Sequence, residues 1–586
     1  MEASVLNETA LSILASRLAM TQNNLNDFFI IISAILVFAM QAGFSLMETG
    51  LVRSKNLFHL YRLGIKLLIA MEASVLNETA VSILASRLAM TQNNLNDFFI
   101  ISSAILVFAM QAGFSLMETG LVRSKNATNI LMKSTLDAFI GATVYWLVGY
   151  AFAYGDGNEF IGWTGFALQG VSPHKISFWF YQTIFANTVS TIVSGATAER
   201  INLPAFFIYA SLLTGFLHPV ASRWVWHTSG WLKVRGVIDF GGGGCVHMLG
   251  GVSALVACLM VGPRIGRYDN KTMKKFAFRG HSNTLTGVGA FLLMMGILGY
   301  NMSAQLDLSH PGDGVAVSVS AVNTLLAGSS GSIVATILGR ATPTGSYRWS
   351  YNTMLNGAIA GMVSACPACN DMPFWGAYVT GAGAGFLYFA LRALINHLHV
   401  DDPLDAFAVH FGGGFSGMVS APLLVTNGVI LVGDVNSAEV FCWQLVGILV
   451  LIAWGVGFCS ILFGSLKYFK ILRVESCVEI HGMDLMKHGE PAYPAESWQE
   501  QQYWDHQVKQ LVYSLSSTKI DEAVGGQTIF DSIATVDLGV NNNFRLTGMP
   551  PQMNFAHLAL TDHFQKSLFS LENQQRVGLD FISRKY

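Results

Sequence analysis

The chain has 586 residues, 52% of them hydrophobic and only 12% charged, with 58 glycines and a mean hydropathy of +0.45. Soluble globular proteins carry about 25% charged residues, so a soluble multidomain assembly, a disordered chain and a fibrous protein are all excluded. The 34 Lys and Arg nearly balance 36 Asp and Glu for a net charge of -2, which excludes a nucleic-acid binder built on a basic field. A membrane protein with many spans remains.

At the start of the chain, residues 1–56 recur at 71–126 with two differences, Leu11 against Val81 and Ile32 against Ser102. Both copies end in VRSKN, so both helices would point the same way and need a returning span between them. Residues 57–70 are too short, reaching about 21 Å as a helix against a core of about 30 Å. We therefore expect residues 1–70 to lie outside the functional core, with Met71 as the working start. The other reading places them on the membrane surface. Asn77 heads a glycosylation sequon on the side expected to be outside.

With a window of about 20 apolar residues, spans are predicted near 97–119, 129–154, 175–198, 203–222, 243–263, 282–304, 314–338, 353–371, 374–396, 404–425 and 440–466. Arg123 and Lys125, the basic loop from Arg264 to Arg279, then Arg340, Arg348, Arg392, Lys467, Lys470 and Arg473 all fall on one side. By the positive-inside rule that side is the cytoplasm; Lys233 and Arg235 alone dissent. The expected fold is an all-α membrane protein with eleven transmembrane helices, the N-terminus outside and the C-terminus cytoplasmic. The two sets of five spans before the last, long helix are odd in number, so they must have opposite topology, the inverted-repeat plan of transporters. Residues 71–468 form the transmembrane domain.

Ionisable residues at membrane depth are costly and point to function. His247 in DFGGGGCVHMLGG and His410 in DAFAVHFGGG sit in matching frames, each in the last span of its half. Pseudo-symmetry would bring them together at the midplane, where two imidazoles could share a proton. Two separate histidines, each satisfied by a backbone carbonyl, is the other reading, and a metal site lacks neighbouring ligands of the right spacing. Asp239, eight residues before His247, reads first as an N-cap carboxylate. Asp137 and Glu199 read as structural partners. Cys366 and Cys369 form a C-x-x-C without the surroundings of a redox or zinc motif.

Taken together, FAMQAGFSLMETGLVRSKN (108–126), TIVSGATAERI (191–201), DFGGGGCVH (239–247), GYN (299–301), VDDPLDAFAVH (400–410) and the stretch from Leu472 to Tyr493 resemble the ammonium transporter (Amt) family of the Amt/Rh superfamily. The resemblance covers about residues 90–493. It implies a homotrimer with one narrow pore through each subunit, at the plasma membrane and in contact with lipid, carrying ammonium or ammonia with methylammonium as an alternative substrate, and with no cofactor, no enzymatic reaction and no nucleic-acid partner. Carried over by motif, His247 and His410 match the twin histidines of the pore. Asp239 matches the aspartate near the outer recruitment site. Tyr181, Phe185 and Trp226 match its aromatics, with Trp224 the other candidate for the tryptophan. Tyr300 stands where the family has its second gate phenylalanine, and Ala304 where it has a serine. An aromatic belt at the lipid interface is the plainer reading of these rings.

The tail from Phe469 holds 24 charged residues, close to soluble density. Its part 469–493 resembles the family's regulatory segment, with Gly482, Asp484, His488, Gly489 and Glu490 at motif positions; in the family this segment docks on the neighbouring subunit. Residues 494–586 read as a weakly ordered cytoplasmic tail. The expected function is ammonium transport, with ammonium deprotonated near the histidine pair. The alternatives are an ammonium sensor signalling through the tail, or a Rhesus-type electroneutral ammonia channel.

Overall fold

Several helices begin at a side-chain cap. Asn202, Ser282, Ser350 and Asp434 each accept a backbone N–H of the turn that follows, from Leu203, Leu285, Thr353 and Ser437. These bonds satisfy donors that a helix start otherwise leaves bare. The computed structural model describes residues 78–494 apart from 270 and 343–348, with side chains from residue 85. The expectations for residues 1–70, for Asn77 and for the tail after 494 lie outside the described residues.

In chain order the long helices are α1 (Glu78–Leu121), α2 (Ser124–Tyr154), α3 (Ile176–Ala196), α4 (Leu203–Leu212, Leu213–Leu217 and His218–Trp226), α5 (Gly243–Val261) and α6 (Asn283–Ser303). Then follow α7 (Asp313–Ala341), α8 (Tyr351–Ala365), α9 (Phe374–His397), α10 (Phe407–Leu424) and α11 (Val435–Tyr468). Among the described residues no strand forms. Nine of these helices are long and apolar enough to cross a membrane, α3 and α8 being outside that set. The predicted spans 175–198 and 353–371 are nonetheless helical. Ser, Thr, Asn and Gln dilute the apolar character of α3, and α8 has only 15 residues.

Two predicted boundaries move. The eighth span was expected to run to 371, but α8 stops at Ala365 and Cys366 to Cys369 make a turn. Phe240 and Gly241 donate their backbone N–H to the carbonyls of Pro367 and Cys366 at 2.8 and 2.7 Å, so the turn docks the glycine-rich strap before α5. Both cysteines are free and buried. The first span was expected from 97, whereas α1 starts by Glu78. Its extra turns hold the connection after α6, with Asn96 donating to Asp307 Oδ1 at 2.8 Å and accepting from Leu308 N at 2.9 Å.

α1 lies along α6, α7 packs against α8 and α9, and α11 covers α5 and α10 from outside. Leu449 and Ile461 on α11, and Phe98 and Ile105 on α1, remain exposed. Such apolar faces are stable against lipid or another apolar partner, not against water.

Where α1, α3 and α5 end, a buried ion network ties their loops together. Glu199 Oε1 accepts from Arg123 Nε at 2.9 Å, and Glu199 Oε2 from Arg264 Nη1 at 2.5 Å. Arg264 also donates to both oxygens of Asp401, at 2.8 and 3.0 Å. Burial alone would raise the Glu199 pKa, but Arg264 and then Arg123 outweigh it and hold the group down at about 2. Asp401 is likewise held below the usual carboxylate range, its burial outweighed by hydrogen bonds and charge from Arg264. A depressed carboxylate contributes stability above its unfolded pKa of about 4 and loses it as pH falls through the folded value. The melting temperature in detergent should therefore not change through this network between pH 7 and 5, and should fall progressively from about pH 4 toward 2.

Candidate functional site

The strap from Asp239 to Gly244 has to turn sharply into α5. Gly242 sits at φ +80°, in the left-handed region. A Cβ there would also lie 2.8 Å from Trp226 and 2.9 Å from the Tyr300 hydroxyl. Only glycine meets both demands. The turn is closed by Asp239, whose carboxylate accepts from the backbone N–H of Gly244 at 3.1 Å and Cys245 at 2.9 Å. Asp239 is thus buried as a cap, and its backbone carbonyl accepts from Trp226 Nε1 at 2.7 Å.

α5 opens not as an α-helix but as a π-helical turn, Gly243–Met248, which carries His247. α10 opens the same way, with Phe407–Phe411 carrying His410. Widened turns of this kind are rare inside helices and recur at functional sites. The match goes further. Asp402 stands eight residues before His410, as Asp239 does before His247. It accepts from Phe407 N at 2.8 Å, five residues on, as Asp239 accepts from Gly244.

The two helices cross backbone to backbone. A Cβ on Gly251 would strike the backbone of Phe411, and one on Gly414 would meet Gly243 and Met248. This close approach brings His247 and His410 together. Their ring planes are nearly parallel, at 7° with centroids 5.3 Å apart, and Nδ1 faces Nδ1 at 3.3 Å. His247 is 0% exposed and His410 4%. One Nδ1 must donate and the other accept, so the neutral pair holds its two rings in opposite tautomers. One Nε2 is then a bare acceptor and the other an N–H donor.

Aromatic rings close one side of the pair. Tyr300 lies 5.3 Å from His247, and Phe185 stacks on Tyr300 at 3.9 Å and 17°. Tyr181 and Trp226 flank Phe185 at 4.4 and 5.9 Å. Trp224 instead donates to Phe160 O and packs on Trp454, away from Phe185. Ser303, beside Ala304, bonds the Tyr181 hydroxyl at 3.4 Å. On the other side of the pair, Phe114 lies 5.8 Å from His410.

Two residues escape a sequence reading of this site. Asp402 could have been found from its spacing to His410. His218 opens the last segment of α4, fully buried, with Nδ1 3.1 Å from Cys245 O and its ring 5.9 Å from Trp226. It is a third histidine at depth, supporting the turn that carries His247. No cluster of His, Cys, Asp and Glu able to hold a metal forms among the described residues.

Asp137 accepts from Ser190 and Thr191, a structural role as expected. The tail segment docks on its own chain. Asp484 accepts the backbone N–H of Thr128 and Asn129 at 3.0 and 2.8 Å, capping the start of α2. His488 Nε2 lies 3.1 Å from Asn129 Oδ1. Gly482, at φ +106°, lets the backbone pass against Lys125, where a Cβ would sit 2.6 Å from the carbonyl oxygen. Gly489 takes a left-handed turn, and Glu490 N donates back to Asp484 O at 3.1 Å. Asp484→Ala should free this segment, since losing a helix cap costs about 0.5–2 kcal/mol. The expected readout is faster hydrogen exchange at the Thr128 and Asn129 amides.

A membrane-embedded helical bundle with a buried polar pair behind an aromatic constriction defines a small-solute transporter. Comparison with known proteins identifies which. Residues 98–493 match the Ammonium Transporter Family. The chain is 34% identical to ammonium transporter 1 member 3 of Solanum lycopersicum over 440 residues, 70% of this chain and 95% of that protein. It is 34% identical to ammonium transporter 3 of Dictyostelium discoideum over 409 residues, 67% of this chain and 93% of that one. Among solved structures, the Sensor Amt Protein superposes with a TM-score of 0.64 at 30% identity, covering 68% of this chain and all of that one. The chain belongs to the ammonium transporter family.

Proposed function

We propose that the protein conducts ammonium across the plasma membrane through a pore in each subunit of a homotrimer, deprotonating it beside His247 and His410. The observation that carries this reading is the buried, parallel-ringed histidine pair at the crossing of α5 and α10, directly behind the Phe185–Tyr300 stack. The eleven helices act as spans, five and five of opposite topology with α11 added. The repeated π turn, aspartate and histidine at the head of α5 and α10 support that symmetry, and the one-sided distribution of Lys and Arg supports a cytoplasmic tail.

Ammonium reaching the outer mouth meets the faces of Trp226, Tyr181 and Phe185. Each ring attracts a cation by about 0.5–2 kcal/mol. Asp239 acts by fixing the turn into α5 and by biasing the local field, since its oxygens are occupied by backbone N–H groups. Beyond the ring stack the passage is apolar, and a bare cation entering low dielectric loses several kcal/mol of hydration at least. K⁺ and Na⁺ cannot reduce that cost. Ammonium can, by giving its proton to the acceptor Nε2 of the pair and going on as ammonia. The proton between the two Nδ1 atoms then shifts to the second ring, which releases its own Nε2 proton; the pair is left with its tautomers inverted and is ready again once they exchange back.

A sensor is the second reading. It is favoured by the docked tail, which links α2 to the chain's cytoplasmic end, and by likeness to a structure described as a sensor. Two-electrode recording on ammonium addition separates the readings. A transporter gives a current or methylammonium uptake that depends on His247, a Rhesus-type channel gives uptake without current, and a sensor gives neither.

A further inference from the structure

Beside His410, on the side away from the Phe185–Tyr300 stack, lies a cavity of about 30 Å³, enough to hold water. Its lining is mostly apolar, with Phe114, Ile192, Leu404 and Val409, and contains one carboxylate, Glu118 of α1. Glu118 is 1% exposed, and its Oε2 has no hydrogen-bond partner among the described residues. A buried carboxylate oxygen left without a donor is costly unless something else uses it. Asp137 accepts from Ser190 and Thr191, and Glu199 from Arg123 and Arg264. Asp402 also has an oxygen without a partner among the described residues, Oδ1, but it does not line this cavity and its Oδ2 caps the turn at Phe407.

We infer that Glu118 is the proton acceptor on the inner side of the histidine pair, taking over from His410 the proton that ammonium gives up. The inference rests on ammonium being deprotonated at His247 and His410. His410 uses Nδ1 on His247 and lines the cavity, so Nε2 is the nitrogen it has left to offer there. Glu118 sits one turn before the end of α1, with its backbone carbonyl accepting from Val122 N at 3.1 Å. The charged groups that act on it come from α2, Asp137 and Lys133, and the latter donates to Ile201 O at 3.2 Å. Tyr209 of α4 and Asn356 of α8 complete the polar groups facing it.

The proton balance is simple. An N–H bond of ammonium breaks toward an imidazole nitrogen, leaving ammonia and an imidazolium. The imidazolium passes that proton, through water the cavity can hold, to the Glu118 carboxylate. The carboxylic acid then releases it to solvent and is a carboxylate again. One ammonia and one proton leave for each ammonium that enters; with Glu118 unable to accept, the imidazolium returns its proton to the outer side, so ammonia still passes but carries no net charge with it.

The test uses the full chain in oocytes, reading ammonium-evoked current and labelled methylammonium uptake on the same cells. Glu118→Gln should lower the current by about a hundredfold while uptake stays within about twofold of wild type. Glu118→Asp should recover part of the current. A wild-type current in E118Q overturns the inference, and so does equal loss of current and uptake at unchanged surface amount, which is what a purely structural role predicts. If E118Q does not reach the surface, E118D carries the test: its ratio of current to uptake should fall by about tenfold, and an unchanged ratio overturns the proposal. Wild-type uptake without current removes the proton route but leaves ammonium transport standing. A wild type with neither removes both.

Discussion

His410→Ala and His247→Asp are expected to abolish most ammonium flux and to let K⁺ compete. Proton transfer by a positioned group contributes about 10²–10⁴-fold, so ammonium-evoked current should fall at least about a hundredfold. Truncating His410 also strands Nδ1 of His247 in a site with 0% exposure, which costs about 1–3 kcal/mol unless water enters to satisfy it. Water in the constriction is what admits K⁺. The measurement is the current ratio for ammonium against K⁺ in each variant. A variant that keeps the full wild-type selectivity removes the deprotonation mechanism. His247→Asp differs from the alanine change in leaving an anion facing His410, so its residual current should be carried by metal cations as readily as by ammonium.

Arg264→Met should be the most destabilising single change in the described loops. Its guanidinium is the only bridge between Glu199 and Asp401, and all three side chains are at most 3% exposed. Removing one member of a buried ion network leaves uncompensated charge and costs about 3–5 kcal/mol. Arg123 and Arg267 still reach Glu199 and Asp401 respectively, so the effect should fall at the lower end of that range. Thermal unfolding in detergent measures it, and the variant should show a smaller loss of stability between about pH 4 and 2 than wild type, the remainder coming from Arg123 and Arg267. A melting temperature equal to wild type would contradict the reading of this network as a structural tie.

The helices were legible in the sequence because lipid demands long apolar runs, and runs survive without knowledge of the partners. α3 and α8 were read as spans too; both are helices, but one is diluted by polar residues and the other has 15 residues, and neither is among the helices long and apolar enough to cross a membrane. The histidine pair was legible because two glycine-rich frames around Val-His match across the chain. The aromatics were legible only through resemblance, since nothing in the spacing of Phe185 and Tyr300 says that they stack. Asp239 was weighed as a cap and is one. What escaped depended on contacts distant in sequence. His218 lies in an ordinary apolar helix until Cys245 O and Trp226 are placed beside it. Glu118 reads as the end of a motif until α3, α8 and α10 enclose it. The π turns leave no periodic mark, because one extra residue within five or six is too short a change for a hydrophobic pattern to register. The tail residues were found by motif, but the sequence gives no hint that Asp484 caps α2 of its own chain.

The crossing of α5 and α10 has a mechanical meaning. Where side chains separate two helices, they can repack in a second arrangement, and a transporter can alternate between them. Here the backbones meet directly at Gly251 and Gly414, so there is nothing between the helices to rearrange. The two imidazoles are bolted to a joint with one setting. On the proposed deprotonation route, turnover needs no rocking of halves, only the arrival of a cation, the movement of a proton and the departure of a neutral molecule, and its speed is set by chemistry and diffusion.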